Sequence, residues 1–238
     1  MFGFRDDIAR VKEQNVDFYN EISEEYDRIM EEGSNRQIRN KVAVRFRDSV
    51  EGGWVLDFGG GTGQDMDWLA AGRYKIIFCE PSSGMRQKAM RRKEEAGYCE
   101  DLLFLDDVQA DFTDWTKVLP FPQKVDAVLS NFAVFNCIPD LPLLFTSLSC
   151  VTKHGAQLIA LILDEEREAT AYRRLRKLMQ RAFLGQRADL LIRYKSWGQF
   201  VFFHTDRAII KAASGTFDLL QAEKVTASPF QLIHMVRK

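Results

Sequence analysis

The stretch Val55-Leu56-Asp57-Phe58-Gly59-Gly60-Gly61-Thr62-Gly63-Gln64-Asp65 sets the tightest limit on what this chain can become. A short apolar run passes into four glycines and then into a helix-like pattern, which predicts a strand, a tight turn and a helix start. Glycine is needed where backbone takes positive φ or where a ligand must approach without meeting a Cβ. The spacing Gly59-x-Gly61-x-Gly63, with Gly60 between, therefore predicts close contact between main chain and ligand. A plain strand-to-helix connection is the alternative for such a turn on its own.

A second signal follows. The apolar run Ile76-Ile77-Phe78-Cys79 ends in Glu80, about twenty residues on, where an acid grips ribose hydroxyls in Rossmann-type nucleotide sites. The dinucleotide fingerprint wants a third glycine three residues after the second, and that position is Gln64, so NAD or FAD fits poorly. The chain resembles the class I S-adenosylmethionine-dependent methyltransferases. Their first motif is similar to Val55 through Gly63, and their second strand ends in an acid followed by Ser and Met, as Glu80-Pro81-Ser82-Ser83-Gly84-Met85 does. The resemblance spans roughly residues 19 to 163. It implies an α/β fold: a doubly wound, Rossmann-like seven-stranded sheet, mostly parallel with a C-terminal antiparallel strand and helices on both faces. The implied cofactor is S-adenosyl-L-methionine, leaving S-adenosyl-L-homocysteine as product.

The same resemblance assigns roles. Gly59, Gly61 and Gly63 give close backbone approach, Glu80 holds the ribose, and Asp111 and Phe112 hold adenine, with Asp106 and Asp107 as alternative acids. Gly60, Pro81 and Met85 complete the cofactor set. Asp57 organises the turn from behind, and Asp65 either contacts the sugar or methionine end or begins the helix. Asn131 borders the methyl group or caps a helix near Pro139. Tyr19 to Asp27 looks like the family's Tyr-Asp-x-x-Ala-x-x-Tyr-Asp cover segment, making Tyr26 a candidate lid residue. Tyr26, Asn131 and His204 are the catalytic candidates; an incidental role for His204 is as well supported.

The remaining chain reads as repeated β-α units, with strands at Trp54 to Phe58, Lys75 to Cys79, Val125 to Ser130 and Ala156 to Leu163. The third strand is either Leu102 to Leu105 or the run Val108-Gln109-Ala110, and the chain ends in an antiparallel pair from Phe217 and Phe230. With 238 residues and 46% hydrophobic content, one domain is expected. Residues 1–50 form a helical cover, and 164–197 a helical insertion for substrate recognition. Net charge of -1 argues against a generally nucleic-acid-coating or membrane-surface protein. Cys79, Cys99, Cys137 and Cys150 contain no C-x-x-C pair and read as reduced thiols, and three histidines give no basis for a metal site. A cytoplasmic location and a small-molecule methyl acceptor are expected, because no Asn-Pro-Pro-Tyr or Asp-Pro-Pro-Tyr follows the fourth strand. The acceptor and the oligomeric state are not legible. A cofactor-binding regulatory protein without methyl transfer is the second reading, and a nicotinamide dehydrogenase the third.

Overall fold

The computed structural model describes residues 4–30, 33–98, 101–163 and 190–238. The chain starts with α1 (Phe4–Met30) and α2 (Gly33–Ser49) and then alternates β1 (Trp54–Phe58), α3 (Met66–Ala71), β2 (Lys75–Cys79), α4 (Ser83–Ala96) and β3 (Leu102–Phe104). Next come β4 (Val125–Ser130), α5 (Leu141–Val151) and β5 (Thr152–Leu163). A separate hairpin of β6 (Leu190–Tyr194) and β7 (Trp197–Val201) leads to α6 (Asp206–Ala213), β8 (Phe217–Lys224) and β9 (Phe230–Arg237). The main sheet has seven strands in the order β3-β2-β1-β4-β5-β9-β8. β9 runs antiparallel to both of its neighbours, and the other pairings are parallel.

Strict alternation along the central strands explains why helices cover both faces. Leu56, Ile77, Val128, Leu158 and Ala160 point to a core shared with Leu144, Leu148 and Ile209 of α5 and α6. Their neighbours Val55, Ile76, Phe78, Leu129 and Ile159 point the other way, against Val42 and Phe46 of α2, Met66 and Leu69 of α3 and Ala89 of α4. Strands buried on both faces need near-continuous apolar runs, as these are. The order reverses beside β1: β2 lies on one side of it and β4 on the other. That reversal opens a crevice at the carboxyl ends of the strands, where open α/β sheets bind ligands.

Helix caps match the sequence where it supplies them. Ser82 Oγ accepts from Met85 N at 3.2 Å and starts α4, and Asp140 accepts from Leu143 N at 2.9 Å and starts α5. Asp140, and not Asn131, is therefore the cap beside Pro139. The third strand is Leu102–Phe104, paired in parallel with Ile76 to Phe78. Val108 lies instead in a turn closed by Asp106, whose carboxylate accepts from the Val108 and Gln109 amides. Residues 190–194 are extended and turn at 195–196 into β7, where a helical insertion is the expectation. A pair of antiparallel strands joined at Tyr194 and Trp197 occupies that end of it. The basic run Arg173 to Arg181 and Cys99 lie outside the described residues. Among the described residues no helix is long and apolar enough to cross a membrane.

Candidate active site

The four glycines divide by what surrounds them. A Cβ on Gly59 would lie 2.5 Å from Val134, one on Gly60 2.3 Å from the Phe78 ring, and one on Gly63 2.2 Å from Met66, so these three make room for protein. Gly61 differs. At φ +57°, its nearest neighbour to a Cβ is Tyr26 Cε1 at 3.9 Å, and Gly61 lines the cavity at the carboxyl ends of the strands. Backbone is thus open to a ligand at Gly61, as a bound nucleotide would need.

Glu80 stands across from it at the end of β2. Its Oε2 accepts from Gly61 N at 2.9 Å and its Oε1 from Ser82 N at 2.8 Å, so one carboxylate joins the glycine turn to the start of α4. Burial raises its pKa to about 7, against the opposing pull of the Ser82 and Gly61 amides. Pro81 and Met85 line the cavity beside it. Asp57 lies behind the turn, 1% exposed, with Oδ2 lacking a hydrogen-bond partner. Burial, reinforced by the nearby Asp65 carboxylate, drives the Asp57 pKa up, which favours a protonated side chain beneath the glycines.

Helix α1 roofs the cavity. Ile8, Lys12, Asn15, Val16, Tyr19 and Tyr26 all line it, so this helix is an amphipathic cover as well as a packing element. Burial pushes the Tyr19 and Tyr26 phenols up, so both hold their protons at neutral pH. Asn20 Oδ1 accepts from Gly84 N at 3.0 Å and Ser82 Oγ at 2.8 Å, fixing α1 on the first turn of α4. Asn15 bonds both the amide and the carbonyl of Phe200, at 2.7 and 3.1 Å, fixing it on β7. Tyr194 donates to Glu25, and Lys195 pairs with Glu21 at 3.0 Å.

Asn131 forms the wall at the end of β4. Its amide donates to Asp65 at 3.1 and 3.2 Å, and Asp65 also accepts from Trp68 Nε1 at 2.7 Å and pairs with Arg39 of α2. These three partners consume the Asp65 carboxylate, which positions Asn131 and lies outside the cavity lining. Immediately afterwards Phe132 and Ala133 take φ values of 50° and 66°. Two consecutive left-handed residues without glycine cost about 1–2 kcal/mol each, and they turn the chain so that Val134 and Cys137 face the cavity. Beyond them Tyr19, Cys137, Ile138 and Leu143 enclose a mainly apolar compartment. Gln199 of β7 donates to Tyr19 Oη at 2.7 Å and to Cys137 Sγ at 3.2 Å.

Two expected residues sit differently. Phe112 lines the cavity and packs edge-on to Phe58 at 5.9 Å, but the Asp111 side chain accepts from Thr113 and pairs with Lys12 at 2.5 Å. Although burial opposes it, the Lys12 and Thr113 hydrogen bonds hold the Asp111 carboxyl below its usual range. Asp106 and Asp107 face outward, the latter paired with Arg86. His204 is away from the cavity. Its Nε2 contacts the Phe135 and Ile138 carbonyls at 3.1 and 3.0 Å, which requires a proton on that nitrogen and makes His204 a structural fastening. Among the described residues no group of His, Cys, Asp and Glu is arranged to hold a metal. Arg39, Asn15 and Gln199 escaped the sequence reading, because each acts on residues far away in the chain. Asp27 and Asn20 had a local signal in the cover motif, as its last and second residues, but their partners did not.

Residues 56–160 match a family model described as a methyltransferase domain. Over this segment the chain is similar to methyltransferase domains. The match begins in β1 and ends in β5, taking in the glycine turn, Glu80 and Asn131. The chain shares its fold with the DhpI–SAH complex: 15% identity, TM-score 0.68, covering 94% of this chain and 96% of that one. It also resembles magnesium protoporphyrin IX methyltransferase from Synechocystis PCC 6803 with bound SAH, at 15% identity and TM-score 0.61 over 93% and 97% of the two chains. An S-adenosylmethionine-dependent methyltransferase from Clostridium acetobutylicum ATCC 824 aligns at 13% identity and TM-score 0.59 over 92% and 98%. At such identities the likeness is one of fold. No curated protein matches the sequence.

Proposed function

We propose that the protein is an S-adenosylmethionine-dependent methyltransferase acting on a small-molecule acceptor, working in the cytoplasm. The observation that carries this reading is the cradle of Gly61 and Glu80, open to the cavity on the Gly61 side and roofed by Tyr26. Solved neighbours of the same fold are described with SAH bound, which supports the choice of nucleotide. The residues fit it. Glu80, Phe112, Ala110, Pro81 and Met85 all line the cavity, where the Glu80 carboxylate would accept from ribose hydroxyls and the others would enclose the base and its side.

When bound, this cofactor supplies an electrophilic methyl group and its own leaving group, so the protein's task is alignment and exclusion of water. Asn131, held by Asp65, fixes the wall where acceptor and methyl group meet. The acceptor compartment lies between α1 and the segment after β4, with Tyr19, Val134, Cys137, Ile138 and Leu143 around it. Its enclosure beneath α1 suits a small molecule better than a polymer. Asp111 would accept from the adenine amino group only on releasing Lys12, and the insertion at 164–197 would contribute to acceptor recognition.

The test is transfer of a labelled methyl group from S-adenosylmethionine to a panel of small thiols, amines, carboxylates and phenols, with mass identification of products. Methylated small-molecule products, lost in Glu80→Ala, support the reading. Cofactor binding with transfer only to protein or nucleic acid refutes the small-molecule part of it.

A further inference from the structure

Asp27 touches no part of the cavity, yet its carboxylate is wired into the glycine turn. Oδ1 accepts from the hydroxyl of Thr62 and from Gln64 Nε2 at 2.7 Å, and Oδ2 accepts from Arg92 Nη2 at 3.1 Å. Arg92 Nε in turn donates to the Thr62 carbonyl at 3.2 Å. Thr62, 2% exposed and lying between Gly61 and Gly63, is therefore gripped through its side chain by α1 and through its main chain by α4. The next residue toward the strand is Gly61, whose amide meets Glu80, and the residue before Asp27 is Tyr26, which covers Gly61.

Building on the proposed function, we propose that Asp27 is a positioning residue for the cofactor. It sets the Gly61 peptide and seats Tyr26 together, so that one carboxylate fixes both the shape of the turn and the position of the ring over it. A glycine-rich turn has more backbone freedom than any other segment, and a ligand that orders it loses affinity in doing so. The ring of Asp27, Thr62 and Arg92 removes that freedom beforehand. The remainder of α1 is anchored independently, by Asn20 to α4, Asn15 to β7 and Lys88 to the Glu24 carbonyl at 2.9 Å, so loss of Asp27 leaves the helix docked.

The experiment measures S-adenosylhomocysteine affinity by calorimetry, with the melting temperature of each unliganded variant, for the intact protein, Asp27→Asn, Thr62→Val, the double variant and Arg92→Lys. Asp27→Asn removes the charge and turns one of the two acceptor oxygens into an N–H donor, so either Arg92 or the pair of Thr62 and Gln64 loses its acceptor, and loss of a charge-assisted network of this kind corresponds to about ten- to a hundredfold in affinity. Thr62→Val is expected to weaken binding less, the double variant no more than Asp27→Asn, and Arg92→Lys, which keeps the charge, less than Asp27→Asn. Affinity unchanged in Asp27→Asn, whatever its melting temperature, overturns the proposal, as do losses that multiply in the double variant. Absence of binding by the unaltered protein overturns the cofactor reading itself, a distinct result.

Discussion

If Glu80 holds the ribose as proposed, its ionisation sets how tightly the site binds the cofactor across the neutral range. Burial raises this carboxyl from 4.5 to about 7, outweighing the opposing pull of the Ser82 and Gly61 amides and of the Arg86 charge. Ribose hydroxyls donate to the ionised form, so binding draws on the fraction that is ionised. That fraction is about nine-tenths at pH 8 and about one-tenth at pH 6 for a group of this pKa. Affinity for S-adenosylhomocysteine therefore falls about tenfold from pH 8 to pH 6, the sign being loss of binding as the acid takes up its proton. In Glu80→Gln the side chain cannot titrate, and one of its two oxygens becomes an N–H donor facing a backbone amide. Affinity there is weaker by about 1.5–3 kcal/mol at pH 8, and the slope between pH 6 and 8 is flat. Calorimetry of both proteins at pH 6, 7 and 8 reads both quantities. An equal slope in the two proteins refutes the assignment of the titrating group, and an equal affinity at pH 8 refutes the contact.

Three further outcomes follow from the geometry. Gly61→Val places a branched side chain at φ +57° beneath Tyr26, so S-adenosylhomocysteine affinity falls at least about tenfold and the fold loses about 1–2 kcal/mol, measured by calorimetry and urea melts. His204→Ala takes a donor from the Ile138 carbonyl and one of two donors from the Phe135 carbonyl, and lowers stability by about 1–3 kcal/mol while cofactor affinity stays the same. A larger effect on affinity than on stability returns His204 to the catalytic candidates. If Asp111 accepts from the adenine amino group, the intact protein prefers S-adenosylhomocysteine over its inosine counterpart and Asp111→Asn loses that preference; equal preference in both proteins assigns Asp111 to Lys12 and the Thr113 cap alone.

The parts of this site that were legible in the sequence are those encoded locally. An apolar run, four glycines and an acid at the end of the following strand are consecutive features, and Gly61 and Glu80 meet as that pattern requires. The glycines themselves look alike in sequence, yet Gly59, Gly60 and Gly63 are small because Val134, Phe78 and Met66 press on them. Asp65 reads naturally as a ligand contact or helix start, but Arg39, Trp68 and Asn131 converge on it from three separate elements. No local pattern announces such convergence. The hairpin of β6 and β7 was missed for a related reason. Its strands pair with each other and its β7 amide and carbonyl are claimed by Asn15, so long-range contacts, not the short run Leu190 to Tyr194, stabilise its extended form. Leu102 to Phe104, with the better strand composition, is the strand, whereas Val108 to Ala110 stands nearer to the expected acid and is turned by the side chain of Asp106.

The measurement that bears most directly on the central claim is calorimetric titration of the intact protein with S-adenosylmethionine, S-adenosylhomocysteine and NADH, with Glu80→Ala alongside. The account predicts saturable binding of the first two at one site, weakened in Glu80→Ala, and none of NADH. Binding of NADH with none of the S-adenosyl compounds would contradict it.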